Sequence, residues 1–417
     1  MANDRDVLRA LAGAWAERAA SPVMDERRAA WTALGDLRPT RPMVLFETWT
    51  LEDYLADVTL ECEDPALRGV EWRLRWTLRQ VDEVGDDTVL EPLWRVGWHI
   101  GGSDYGLPIA AHHAADGSGY QHGYGYDHPV ASPADLDRLR PREWTVDRPA
   151  SEAWAQRLDD LFGDLLPVVL WGTENLHAGL TGDVFRLLGN ENLLLWCYDE
   201  PDALRWLLAY LRDDRLAHYR WLEAEDLLGR NDHFCFVGSG SPGYTTALPA
   251  AAGPVTLDQL WVHMESQETA MVSPALFEEL FLPAMAAVAA PFGLVYYGCC
   301  EPVHDRWAPI EATMPHVRKV SISPWCDQAD IAAQTAGRVV LSRKPRPAPI
   351  SGPQADWAAL EADLDGTLAA MGHRPLEIVF RDVYRIHGDR PRLRRWVDLD
   401  GTLAAMGHRP LEIVFRD

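Results

Sequence analysis

The chain has 417 residues, 47% of them hydrophobic, with a mean hydropathy of −0.20, which suits one large globular core or a core with a smaller cap. Its 63 acidic residues against 39 basic ones give a net charge of −24, which repels phosphate backbones and argues against nucleic-acid binding. No window approaches the roughly 20 apolar residues of a membrane helix, and no signal-peptide pattern opens the sequence, so the expectation is a cytoplasmic, small-molecule-binding protein with no membrane partner.

Residues 1–40 show helical periodicity through Leu8, Leu11 and Trp15, and are read as an N-terminal helical arm. Arg41-Pro42 breaks it, and the main domain runs over 41–397. The apolar run Met43–Phe46 ends in Glu47, a candidate site carboxylate or an ordinary surface one. A second helical region covers 51–82, and Thr88–Trp94 reads as a strand leading to His99 and a Gly-rich loop. Residues 101–150 hold His112, His113, His122 and His128 among Gly, Tyr, Asp and Pro, a composition that predicts an irregular, lid-like insertion.

Pro167–Trp171 reads as a buried strand and 201–228 as a long helix. His233–Val237 is predicted as another strand, running into the loop GSGSPGYTTALP at 238–249. That loop either cradles an anion with its backbone or merely connects, and it holds Tyr244. The segment Leu257–Gln267 carries His263, Glu265 and Gln267. Strands are then expected at 294–298, 317–322, 338–342 and 376–380, with helices between. The sequence DLDGTLAAMGHRPLEIVFRD stands at 363–382 and again, letter for letter, at 398–417. Structural repeats drift and recur in several copies, so the second copy is read as an artefact or a very recent duplication that packs poorly.

The chemistry concentrates between Phe292 and Asp327. One strand ends in Gly298, Cys299, Cys300 and Glu301, and the next in Ser323, Trp325, Cys326 and Asp327. In parallel α/β folds, sites lie at the carboxyl ends of strands. Lysine occurs only at Lys319 and Lys344, each beside a proposed strand end, and lysine shifts its pKa where arginine does not. The six cysteines are scattered, which excludes a secreted disulfide framework, and Cys62 and Cys197 read as buried apolar residues. Cys299 could equally be a small core residue and Cys300 a helix-start residue, with Glu301-Pro302 an ordinary first turn.

The stretches YYGCCEPVHDRW, VRKVSISPW and SRKP resemble the uroporphyrinogen decarboxylase-like superfamily over roughly residues 40–397. The resemblance implies a distorted (β/α)8 TIM-type barrel with its site at the strand ends. It implies an enzyme that transfers a methyl group between a small substrate and a thiol or corrinoid acceptor, or a metal-independent decarboxylase. In the methyltransferase members, zinc sits on a His-x-Cys pair and a later cysteine. Here Tyr297-Gly298-Cys299 stands at the pair, and no cysteine stands near Ser342–Lys344. The zinc set implied is therefore a rearranged one, drawn from Cys299, Cys300, Glu301, His263 and Cys326.

On such an ion a substrate thiol would lose its proton and attack the methyl group, with His99 or Glu47 handling protons. A corrinoid would sit on a separate partner protein, since no Asp-x-His-x-x-Gly run occurs in this chain. The decarboxylase alternative would use an acid–base pocket around Glu47, His99 and Lys344. Tyr244, Gln267, Tyr297 and Trp325 are the expected substrate-binding residues under either reading. A third reading is a non-catalytic soft-metal or redox sensor built on Cys299 and Cys300.

Overall fold

The computed structural model describes residues 3–113, 124–250 and 253–397. Twelve strands occur among them. They are β1 (Met43–Phe46), β2 (Trp94–Gly97), β3 (His99–Gly102), β4 (Ala111–His113), β5 (Tyr124–Tyr126), β6 (Trp144–Asp147), β7 (Val168–Trp171), β8 (Trp261–Met264), β9 (Leu294–Tyr297), β10 (Val317–Ile322), β11 (Val340–Arg343) and β12 (Leu376–Phe380). Six form one parallel sheet in the order β1-β12-β11-β10-β9-β8. From β8 to β12 each crossover contains helix, including Leu282–Ala289, Trp307–Thr313, Gln328–Thr335 and Trp357–Met371. Such crossovers are what parallel neighbours require. The fold is thus mixed α/β.

The two edges of this sheet are not left open. On β1, the N–H of Val44 donates to the Asp87 carboxylate and that of Phe46 to Asp86, both at 2.9 Å, while Asp87 N–H returns to Val44 O. On β8, His263 N–H donates to Leu176 O, and Ala178 N–H to His263 O, both at 2.8 Å. Beyond the edges, β2 and β7 make a separate parallel pair. Thr173, just past β7, bridges to Leu228. Asn231 then joins that segment to β8, its amide bonding Glu174 O and Trp261 O at 3.0 Å.

Strand periodicity divides the sheet into two unlike faces. Val44, Phe46, Val262, Val295, Tyr297, Val320, Ile322, Leu341, Ile378 and Phe380 belong to the main core, shared with helices such as Trp357–Met371. The alternate positions carry His263, Tyr296, Lys319, Ser321, Ser342 and Glu377, all but His263 fully buried. Met43, Leu45, Val340 and Val379 of the same face pack into a second core cluster with the N-terminal helices. The polar part of the face is covered by residues 233–243.

That segment was expected as a strand and a loop, but His233–Val237 joins no sheet. Val237 N–H bonds Ser241 O, and Gly243 N–H bonds the carbonyls of His233 and Cys235, so the backbone satisfies itself in tight turns. Its glycines answer to close packing rather than to an anion. A Cβ on Gly238 would lie 2.1 Å from the Tyr296 ring, and one on Gly240, whose φ is +72°, 2.5 Å from Glu47 Oε1. Lys319 ties the segment to the sheet, donating to Ser241 Oγ and Pro242 O at 2.8 Å and to Glu377 at 3.0 Å.

Other boundaries shift as well. The expected strand at 88–94 begins only at Trp94: Asp86 and Asp87 just before it serve as edge partners for β1, and the carbonyls of Thr88 and Glu91 accept from Arg27 and Trp15 of the N-terminal helices. The strand β8 was not recognised, since Trp261, Val262 and Met264 surround a histidine. The N-terminal arm is helical over α1 (Asp4–Ala19) and α2 (Pro22–Gly35), and its Leu8, Trp15 and Trp31 bury into the second core cluster. The 101–150 insertion is more regular than its composition suggested, with antiparallel ladders β3/β6 and β4/β5. Part of it, 114–123 with His122, lies outside the described residues, as does the 398–417 duplicate. Among the described residues, no helix is long and apolar enough to cross a membrane.

Replacing Lys319 by Met leaves Glu377 charged and buried without its main partner, and should cost about 3 kcal/mol of stability in denaturant unfolding. The double variant Lys319→Met/Glu377→Leu should recover most of that loss. Equal destabilisation in both variants would show that the pair is not what the fold requires.

Candidate functional site

The carboxyl ends of the sheet strands bring Glu47 (after β1), Arg381 (after β12), Lys344 (after β11) and Cys299 (after β9) around Tyr296. Lys344 Nζ donates to Tyr296 OH at 2.7 Å and bonds Ser342 Oγ. The amine is wholly buried, and burial pushes its pKa down to about 7, against the opposing pull of Glu377. Glu47, 4% exposed, is pushed up by burial, with Arg381 and Lys344 acting the other way. Arg381 Nε lies 3.4 Å from Glu47 Oε2, yet neither atom makes a hydrogen bond, and the buried hydroxyl of Ser239 likewise has no partner. Ser239 belongs to the covering segment, next to Gly240 against Glu47. Glu47 Oε2 and Arg381 Nε thus form a loose ion pair, and these two atoms with Ser239 Oγ lack the hydrogen bonds that buried polar atoms nearly always make, which marks a candidate place for a ligand.

Cys299 and Cys300 lie beside this cluster, with their sulfurs in hydrogen-bond contact at 3.7 Å and no disulfide between them. Cys299 is half-buried and Cys300 exposed. The hydrogen bond between them raises the Cys299 thiol and lowers that of Cys300. Glu301 has a structural task. One carboxylate oxygen accepts Ser266 N–H and the other Cys299 N–H, both at 2.9 Å, which pins the ends of β8 and β9 together. Burial, followed by the nearby Glu265, pushes its pKa up to about 7.

The remaining expected site residues disperse. Tyr297 is out of phase: it sits in the apolar core, and its neighbour Tyr296 is the tyrosine on the polar face. Tyr244 lies against the N-terminal helices, its hydroxyl donating to Glu91 at 2.5 Å, away from the strand ends that carry Glu47 and Lys344. Trp325 is 71% exposed. Gln267 lines a polar cleft of about 350 Å³ with His177, Arg215 and Glu265. His99 is exposed on β3, beside a groove lined by Arg73, Arg95 and Trp154, and joins neither Glu47 nor Lys344 there.

The zinc set implied by the resemblance does not fit these positions. Both oxygens of Glu301 are occupied by backbone N–H groups. His263 directs Nε2 at Gly298 O, 3.2 Å away, and burial lowers its pKa to about 3. Cys326 is buried in the main core, its sulfur 3.8 Å from Asp327 O, with its pKa raised to about 11 by burial. Among the described residues, the only three metal-type donors within 4.8 Å of one another are on Glu174, His233 and Cys235. Sequence reasoning passed over these three, and also Ser239, Tyr296 and Glu377 as site residues. Only Arg381, directly after an apolar strand, had a readable signal.

Compared with models of known protein families and with curated proteins, the chain matches none.

With only two lysines in the sequence, 13C-lysine labelling should give two resolvable NMR signals, one of which titrates near pH 7 and vanishes in Lys344→Met. Since the folded site favours the free amine, the unfolded chain binds the extra proton between about pH 7 and 10.5, and stability from this group rises across that interval. Two lysines that both titrate only near 10.5 would remove Lys344 from any acid–base role.

Proposed function

We propose that this protein is an enzyme of the uroporphyrinogen decarboxylase-like type that removes carbon dioxide from a carboxylated small molecule without a metal at the site. The observation that carries this reading is the convergence of the Glu47–Arg381 ion pair and Ser239, each with a buried polar atom that makes no hydrogen bond, beside the buried amine of Lys344, whose pKa burial pushes down to about 7. The closed barrel belongs to the same proposal. The joins from β1 to Asp86 and Asp87, from β2 to β7, from Thr173 to Leu228, and through Asn231 to β8 would complete a ring from the six-stranded sheet.

In this reading Arg381 binds a substrate carboxylate, and its guanidinium provides the planar donor edge that a carboxylate matches. The bond to the leaving carboxylate breaks, carbon dioxide departs, and the electron pair stays on the substrate carbon. Glu47, whose burial favours the protonated form, supplies the proton that forms the new C–H bond. Lys344, poised near pH 7, returns a proton to Glu47, and Tyr296 holds its amine in position. Covering the site with residues 233–243 keeps water away from the developing charge.

Methyl transfer is the second reading, favoured by the Cys299–Cys300 pair at the pocket edge. A lowered Cys300 thiol is the better nucleophile of the two, and its methyl donor would be a corrinoid on a separate protein.

The two readings separate in one assay series on the full chain. Carbon dioxide release from a panel of carboxylated pyrroles and aromatic acids should be detected for the wild type. It should fall by more than about 100-fold in Glu47→Gln and in Arg381→Met, and persist in Cys299→Ala/Cys300→Ala. Release that survives both charge variants, or activity confined to methyl donors and lost with the cysteines, would overturn the decarboxylase reading.

A further inference from the structure

A second constellation lies apart from the Glu47–Lys344 pocket. Glu174 follows β7 at its carboxyl end, and His233 and Cys235 stand two residues apart in the covering segment, joined by a tight turn in which Cys235 N–H donates to His233 O at 2.8 Å. A carboxylate oxygen, an imidazole nitrogen and a sulfur there fall within 4.8 Å of one another. Glu174 Oε2 and His233 Nε2 are 3.1 Å apart, yet both are buried and neither makes a hydrogen bond. The two atoms stand as close as an ion pair but without hydrogen-bond geometry, as two donors aimed at one point would. Ligands bonded at about 2.0–2.1 Å in a tetrahedral zinc sphere lie roughly 3.3 Å from each other.

We propose that Glu174, His233 and Cys235 bind one zinc ion, with its fourth position open to a neighbouring cavity. Carboxylate, imidazole and thiolate together form a three-ligand set of the kind zinc takes at open sites. Binding exchanges the thiol proton, now directed at Asn231 O 3.5 Å away, for a sulfur–zinc bond, and the proton leaves to water. The two negative donors offset the ion's charge. The cavity, about 230 Å³, is lined by Glu174, Cys235, Arg73, Arg95, Trp94 and Phe234. Arg95 Nε is buried and unpaired, with its guanidinium 4.6 Å over the Trp171 ring, so a small apolar carboxylate fits between arginine and metal. These three ligands take no part in the bond-breaking and proton-transfer steps of the decarboxylation reading, so the site stands or falls separately from it, although His233 and Cys235 belong to the segment that also covers the Glu47–Lys344 cluster.

The test is titration of the full-length protein, freed of metal by a chelator, with cobalt(II) as a spectroscopic stand-in and then zinc. The wild type should take up one cobalt per chain with a near-ultraviolet thiolate-to-cobalt band, and zinc should abolish the colour. Cys235→Ser should lose the band. His233→Ala should weaken binding by more than the roughly 100-fold that loss of an outer-shell partner causes. Cys299→Ala/Cys300→Ala should keep band and stoichiometry. Folding of each sample is followed by circular dichroism, and the wild-type measurement does not depend on any variant. A folded wild type without the band, a band unchanged by Cys235→Ser, or a band lost in Cys299→Ala/Cys300→Ala would each overturn the proposal.

Discussion

The pairing of Lys319 with Glu377 holds the architecture together. Both side chains are fully buried, on adjacent parts of one sheet face, with the ammonium 3.0 Å from the carboxylate. Charges taken out of water are tolerable only when every donor and acceptor finds a partner. Here the remaining partners come from Ser241, Pro242 and Ser342. The covering segment is therefore fastened to the sheet by polar bonds as well as by apolar contact, Cys235 and Val237 packing with Trp261, Leu294 and Tyr296. That explains why its glycines and serines take the place of the aliphatic residues that usually fill such a position.

From this constraint the site follows. Because residues 233–243 press on the sheet, Gly240 brings backbone against Glu47, and Ser239 is held beside the strand ends. The sheet face continues upward from Glu377 through Ser342 to Tyr296 and Lys344, a chain of hydrogen bonds that ends where Glu47 and Arg381 meet. Burial disfavours the charged form of both Glu47 and Lys344, while Arg381 remains charged. The same segment carries His233 and Cys235 on its way in, so one irregular stretch supplies parts of two separate constellations. An irregular stretch can do this because it is not bound to the strict alternation of a strand.

Much of the strand order could be read along the chain. Strands β1, β7, β9, β10 and β12 fall within a residue of their apolar runs, since short apolar stretches bounded by Gly, Pro or polar residues are the signature of buried parallel strands. His233–Val237 misleads for the same reason: HFCFV has strand-like composition, and only the close approach allowed by Gly238 and Gly240 turns it inward. Tyr297 was singled out because it stands where the resemblance puts the histidine of the zinc pair, and β9 holds no polar residue to set its phase. The phase comes from its neighbour, where Lys319 pairs in register with Tyr296. The five expected zinc ligands were chosen for their donor chemistry, but Glu301 is held by backbone N–H groups that no local pattern reveals.

By itself the sequence determined the alternation of helix and strand in the C-terminal half, the placement of reactive residues at strand ends, and the significance of its two lysines. These depend on local periodicity, on turn chemistry and on the rarity of one residue type, all of which are written along the chain. Tertiary structure alone decided which face each strand end presents, which polar atoms are paired, and which donors converge. Those properties arise between segments far apart in sequence, such as Glu47 with Arg381 or Glu174 with His233 and Cys235, and their geometry exists only once the sheet has been covered.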